Sequence, residues 1–282
     1  MKTKQYIVIG SVVILMGILL SLDIKGLVKT EDSGEAGANT EATAGAGAGQ
    51  VSVESVSNVS KQNISASLAA DISKVEGELK GASGSEALEL EKQLAQKWED
   101  VNQPAAAAFY YEAVAEKDDT YANWLKAGDK FTEGYQNFVD STAIQGLQQK
   151  AINAYQKALA LNKESLEAQT GLGIAYVTGT GNPMQGIQLL LDVVKKDPKN
   201  YGANMNLGLF SMKSGQFEKA VNRFKTVVEV KPNAEAYFYM ATSYENMGMK
   251  PEAINAYEKS KELAADPGLT SFVDRKIKEL NN

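Results

Sequence analysis

The chain has 282 residues, 44% hydrophobic and 23% charged, ordinary globular proportions that exclude wholesale disorder and collagen-like repetition and leave room for about two structural units. It contains no cysteine and no histidine, which removes disulfide frameworks, the usual zinc and iron–sulfur ligand sets, thiol nucleophiles and imidazole acid–base chemistry. The formal charge is −6, and Arg223 and Arg275 are its only arginines. Forked phosphate recognition is therefore scarce, and no nucleic-acid partner is expected.

Residues 1–5 carry Lys2 and Lys4. Tyr6 to Leu22 then runs without a charge, and Ile24, Leu27 and Val28 extend the apolar face past Asp23. At about 1.5 Å per helical residue this stretch reaches across a bilayer. No Ala-x-Ala processing site follows it, and no cysteine is available for lipid attachment. Residues 6–28 are accordingly expected to be an uncleaved transmembrane signal-anchor. Lys2 and Lys4 favour a cytoplasmic N-terminus, inner-membrane insertion and a periplasmic C-terminal body. Lys25 and Lys29 weaken that asymmetry, and a cytoplasmic body is the inverted alternative. Without residues 1–29 the body keeps 25 basic and 34 acidic side chains, a balance that does not seek anionic lipid.

Residues 29–60 are expected to be a flexible linker. From Thr30 to Gln50 the chain is mostly Gly, Ala, Thr and Glu and has no large apolar side chain to bury. Its reach is about 30 Å. Residues 61–119 then read as N-terminal helices. Ile64, Leu68, Ile72, Val75 and Leu79 mark one helical face, and Gly81–Gly84 breaks it. Glu86 to Val101 forms the next helix, with Leu90, Leu94 and Trp98 on one side, and Pro104 heads a third.

Downstream the sequence repeats. Ala151-Ile152-Asn153-Ala154-Tyr155 returns as Ala220-Val221-Asn222-Arg223-Phe224 and as Ala253-Ile254-Asn255-Ala256-Tyr257. The equivalent small residues Ala151, Gly186, Ala220 and Ala253 lie 35, 34 and 33 residues apart, and Pro198 and Pro232 lie 34 apart. Upstream of them stand Trp124 with Gly128 and Phe131, Leu172-Gly173 with Tyr176, Leu207-Gly208, and Met240-Ala241 with Tyr244. This pattern resembles the tetratricopeptide repeat, or TPR.

The resemblance implies an all-α fold in which helical hairpins stack into a TPR superhelix, an α-solenoid. Residues 120–267 would hold four TPRs, preceded by a degenerate repeat over 86–119 and followed by a capping helix within 268–282. Small residues at Gly128, Gly173, Gly208 and Ala241 let the first helix of each hairpin approach the second. Several positions depart from the pattern. Gly134 to Gly146 is an insertion, expected to project as a loop or to place Tyr135 and Phe138 over a gap between repeats. Gly179–Asn182 lengthens one turn, Ser211 replaces a Tyr, and Lys163 replaces a closing Pro.

The resemblance also implies a protein or peptide partner bound on the concave surface, which is lined by first helices. That mapping nominates Leu125, Asp129, Ile174, Met205, Leu209, Met212, Phe238, Tyr239 and Thr242 as the groove, with Met205 and Met212 as adaptable apolar contacts. Leu125, Asp129, Asn206 and Glu235 occupy the places where some TPR proteins clamp a carboxylate with Lys and Asn, so that clamp is not expected. The expected function is a membrane-tethered interaction scaffold or assembly factor of the bacterial cell envelope. It would be no enzyme and would have no cofactor, metal or small-molecule substrate. Asp118, Asp119, Glu133 and Asp140 are carboxylates that could in principle serve acid–base work, and the alternative is an envelope enzyme using those in or beside the 134–146 insert, such as Glu133 and Asp140.

Overall fold

The computed structural model describes residues 51–179 and 183–281, all within one compact unit. The expected N-terminus, membrane anchor, most of the linker and the turn residues 180–182 lie outside the described residues. Those described form thirteen helices and no strand. They are α1 (Val53–Lys61), α2 (Ala66–Leu79), α3 (Gly84–Asp100), α4 (Pro104–Lys117), α5 (Tyr121–Asn137), α6 (Ser141–Leu161), α7 (Leu166–Gly179), α8 (Pro183–Lys196), α9 (Tyr201–Lys213), α10 (Phe217–Val230), α11 (Ala234–Asn246), α12 (Lys250–Leu263) and α13 (Pro267–Asn281). None of them is long and apolar enough to cross a membrane.

Five consecutive pairs, from α3/α4 to α11/α12, pack as antiparallel hairpins, and each second helix also packs on the first helix of the following pair. The first helices adjoin in turn, α5 with α7, α7 with α9 and α9 with α11, so they share one side of an α-solenoid. The starts of α5, α7, α9, α11 and α13 are fixed by polar side chains that accept a hydrogen bond from an otherwise unpaired backbone N–H of the first turn. Thr120 accepts from Asn123 N, Ser165 from Ala168 N, Asn200 from Ala203 N, Asn233 from Ala236 N and Asp266 from Leu269 N. The turns inside the third and fourth full repeats need a left-handed residue, supplied by Gly215 and Gly248 at φ 73°. The α3–α4 turn of the degenerate repeat uses Asn102 at φ 54°, the non-glycine residue type that best tolerates this region.

The interior confirms the small-against-large arrangement. Tyr155, Leu190, Phe224 and Tyr257, spaced 35, 34 and 33 residues apart, are all buried. The Tyr155 ring lies where a Cβ on Gly128 would come within 2.8 Å, and the Phe224 ring where a Cβ on Gly208 would come within 2.7 Å. Leu94 and Trp98 anchor α3 in the core as their spacing predicts.

Two sequence expectations are corrected. The linker does not extend to Ser60, because Val53–Lys61 is helical. Ser52 and Ser55 form a reciprocal capping box at its start, Val56, Ser57 and Ser60 are buried, and Lys61 pairs with Glu76 of α2. Glu76 also accepts hydrogen bonds from Ser57 Oγ at 2.8 Å and Tyr110 Oη at 3.0 Å, so one carboxylate ties α1, α2 and α4 together. The insert is not a projecting loop. It lengthens α5 to Asn137 and starts α6 at Ser141, with Asp140 capping α6 through Thr142 N at 2.9 Å. Tyr135 is buried and donates or accepts with Thr178 Oγ1 at 2.8 Å, joining the insert to the next repeat. Gly146 packs under Val51.

The capping helix covers the last hairpin as expected, with Val273 buried and Ile277 half-buried. Lys276 pairs with Glu245 of α11 at 2.9 Å, and Lys261 of α12 pairs with Asp274. At the opposite end Glu99 of α3 pairs with Lys130 at 2.8 Å and Lys126 at 3.0 Å, both on α5, and accepts from Tyr111 of α4. These partners, Lys130 foremost, hold its carboxyl at about 2, down from 4.5. The stabilisation is therefore present above about pH 4.5 and is lost as pH falls towards 2.

Glu99→Gln is expected to cost about 1–3 kcal/mol at pH 7 in urea unfolding, and the two proteins should converge in stability near pH 2. Deleting residues 1–50 should leave the melting temperature unchanged. Deleting residues 1–60 removes Val56 and Ser57 and should lower it measurably by calorimetry.

Candidate functional site

One stripe of the first helices faces the inner side. On α7 it comprises Glu167, Thr170, Gly171 and Ile174, at the i, i+3, i+4, i+7 spacing that keeps side chains on one face. The equivalents are Gly202, Met205, Asn206 and Leu209 on α9, then Glu235, Phe238, Tyr239 and Thr242 on α11. The nine groove residues nominated from the sequence lie on α5, α7, α9 and α11, and their surroundings differ.

At the N-terminal end the stripe opens into a cleft of about 620 Å³ between α5, α7 and the start of α9. Asp129 and Ile174 line it, together with Thr132, Glu133, Glu167 and Asp197, and Tyr155 reaches it from α6. Leu125 is instead buried in the core at 9% exposure and Met205 at 8%. Leu209, Met212, Phe238 and Tyr239 are half-buried and pack on the C-terminal core. The Phe238 ring centroid lies 5.8 Å from those of Tyr239, Tyr257 and the capping-helix residue Phe272. Thr242 Oγ1 donates to Phe238 O at 3.0 Å. The expected apolar stretch of the groove is thus largely occupied by the protein's own rings.

The cleft itself is acidic. Tyr155 Oη donates to Asp129 Oδ1 at 2.8 Å and lies 3.1 Å from Thr132 Oγ1. Asp129 retains solvent access at the mouth, yet the surrounding side chains raise its carboxyl above the ordinary value by desolvation. The Tyr155 hydrogen bond opposes the rise, and the Glu167 charge adds to it. Glu133 pairs with Lys130 at 2.9 Å, whereas Glu167 is exposed and no ion pair to it is found among the described residues. Sequence reasoning reached Asp129 as a groove residue and Glu133 as a candidate catalytic carboxylate, but passed over Glu167 and Asp197. The i, i+3, i+4, i+7 stripe ending at Ile174 would have found Glu167; Asp197 lies in a turn and carries no periodic signal.

The carboxylates considered for catalysis have local partners. Asp118 accepts from Asn123 Nδ2 at 2.9 Å and Asp119 from Trp124 Nε1 at 2.6 Å. Glu133 holds Lys130, and Asp140 caps α6. Among the described residues no group of three or more acidic side chains is placed to hold a metal ion.

Two family models described as "Tetratricopeptide repeat" match residues 201–233 and 235–265, which are the α9/α10 and α11/α12 hairpins. The chain carries tetratricopeptide repeats. Among solved structures, a tetratricopeptide repeat protein from Parabacteroides merdae is 18% identical over 81% of this chain and 86% of its own, with a TM-score of 0.54; it shares the fold. MamA is 24% identical over 60% of this chain and 92% of its own, TM-score 0.46. YrrB, described as a TPR protein with an unusual peptide-binding site, is 19% identical over 66% and 91%, TM-score 0.44. No curated protein matches the sequence. The repeats are a module for protein–protein interaction.

Because partial desolvation by the surrounding side chains raises the Asp129 carboxyl, its ionisation works modestly against the folded state, and that cost, reduced by solvent screening, disappears as pH falls through the raised value. Asp129→Asn keeps an acceptor for Tyr155 Oη and removes the charge. It should raise the melting temperature at pH 7, with the gain vanishing below about pH 4, as followed by circular dichroism.

Proposed function

We propose that this protein is a membrane-tethered scaffold of a bacterial cell envelope whose inner cleft binds a cationic segment of a partner protein. The observation that carries the binding reading is the cleft between α5, α7 and α9, where Asp129, Glu133, Glu167 and Asp197 surround a floor containing Ile174 and Tyr155. Keeping Asp129 ionised there works against stability, and a partner's lysine or arginine would offset the cost when bound. Leu166 and Ile174 give an apolar wall for the stems of such side chains. Tethering is supported by the uncharged run Tyr6–Leu22, and an extracytoplasmic body by Lys2 and Lys4 ahead of it.

A fluorescent peptide alternating Lys with Leu should bind the parent chain, with salt-sensitive affinity. The Asp129→Asn, Glu167→Gln variant should bind it at least about ten-fold more weakly while remaining folded; undiminished binding would refute the cleft. In cells, added protease should digest the body only after the outer membrane is permeabilised.

A further inference from the structure

A second groove lies on the other side of the solenoid, between α8, α9 and α10, with a volume of about 550 Å³. One wall is apolar. It is formed by Met184, Ile187 and Leu191 of α8 and Phe210 of α9, and Met184 is 64% exposed and Leu191 38%, unusual openness for side chains of this kind clustered together. The opposite wall carries Lys219 and Arg223 of α10.

Arg223 is held in one pose. Asn204 is buried, and its Nδ2 donates to Pro198 O at 3.0 Å and Asn200 O at 2.8 Å. Its Oδ1 is therefore left to accept from Arg223 Nη1, at 3.0 Å. That neutral amide is the only hydrogen-bond acceptor, and no carboxylate pairs with Arg223, among the described residues. Partial burial lowers the guanidinium's pKa, and no neighbouring charge counters the effect. An arginine has five N–H donors in a fixed fork suited to a carboxylate, and here most of the fork is unused beside an open apolar wall. In a chain with more acidic than basic side chains, a half-buried cation without an anion is an arrangement that a ligand's negative charge would complete.

We propose that the α8–α10 groove is a second docking surface, taking an amphipathic partner segment whose carboxylate engages Arg223 while its apolar side chains seat against Met184, Leu191 and Phe210. The flexible thioether of Met184 suits it to such a contact. The proposal is independent of the acidic cleft, since the two surfaces attract segments of opposite charge.

The test uses the full chain and a labelled helix-forming peptide with Glu and Leu on one face, followed by fluorescence anisotropy. The parent should bind it, and the same peptide with Lys in place of Glu should not compete. Arg223→Gln should weaken binding by about ten-fold or more, and Arg223→Lys by less than Arg223→Gln. Met184→Glu, at an exposed position outside the core, should weaken it comparably and guards against loss of fold in the arginine variants. Asp129→Asn should leave it unchanged. Binding by the Met184→Glu and Arg223→Gln variants as tight as the parent's would overturn the proposal. So would displacement by the lysine peptide, preferential Arg223-dependent binding to phosphatidylglycerol vesicles, or Arg223-dependent self-association that the acidic peptide does not inhibit.

Discussion

The solenoid depends on one contact made repeatedly: a large side chain of a second helix laid on a residue of the first that has little or no side chain. Tyr155 lies over Gly128 within its own hairpin and also against Gly171 in the next one. Phe224 lies over Gly208 and stacks on Tyr239 of the following repeat, with centroids 5.8 Å apart. Tyr257 extends the series towards Phe238 and the capping helix. The same ring that fills a hairpin therefore also fills the joint to its neighbour. A single hairpin leaves half of that ring uncovered, which is why stability in such arrays is shared between adjacent repeats.

The contact also shapes the cleft. Tyr155 is buried, but its hydroxyl emerges between α5 and α7, where it holds Asp129 and meets Thr132. A phenylalanine in the same place would fill the core equally well and leave the carboxylate without that donor. The corresponding hydroxyl of Tyr257 is used differently, donating to Glu245 at 2.7 Å, and Glu245 in turn binds Lys276 of the capping helix. One packing position thus serves recognition at one end of the array and closure at the other.

The packing rule was legible in the sequence because it is local and periodic: the small residues and the rings return every 33–35 positions. What escaped was set by contacts between distant segments. Val53–Lys61 is poor in apolar residues and reads as linker, yet Val56 finds a buried site and Glu76 gathers Ser57 and Lys61 from across the fold. The 134–146 segment breaks the period and reads either as a projecting loop or as a cover for a gap between repeats; Tyr135 and Gly146 have partners in Thr178 and Val51, and the segment extends both helices. The groove was half legible. Helical spacing places the nominated residues on the first helices of the hairpins, but it cannot tell that Leu125 and Met205 turn into the core or that Phe272 lies against Phe238.

The resulting surface separates charge across the thickness of the array. In the acidic cleft desolvation and the Glu167 charge raise the Asp129 carboxyl, and the Tyr155 hydrogen bond and the charges of Lys126 and Lys130 offset that rise only in part. On the outer side Arg223 is fixed by an amide that contributes no countercharge. Both features work against the isolated protein, because an unpaired charge in partly desolvated surroundings is destabilising. Asp129 and Glu167 belong to the first and second full repeats and Arg223 to the third, so the opposite charges do not meet within the array. Only an external charge of the matching sign can relieve either, and the signs required are opposite.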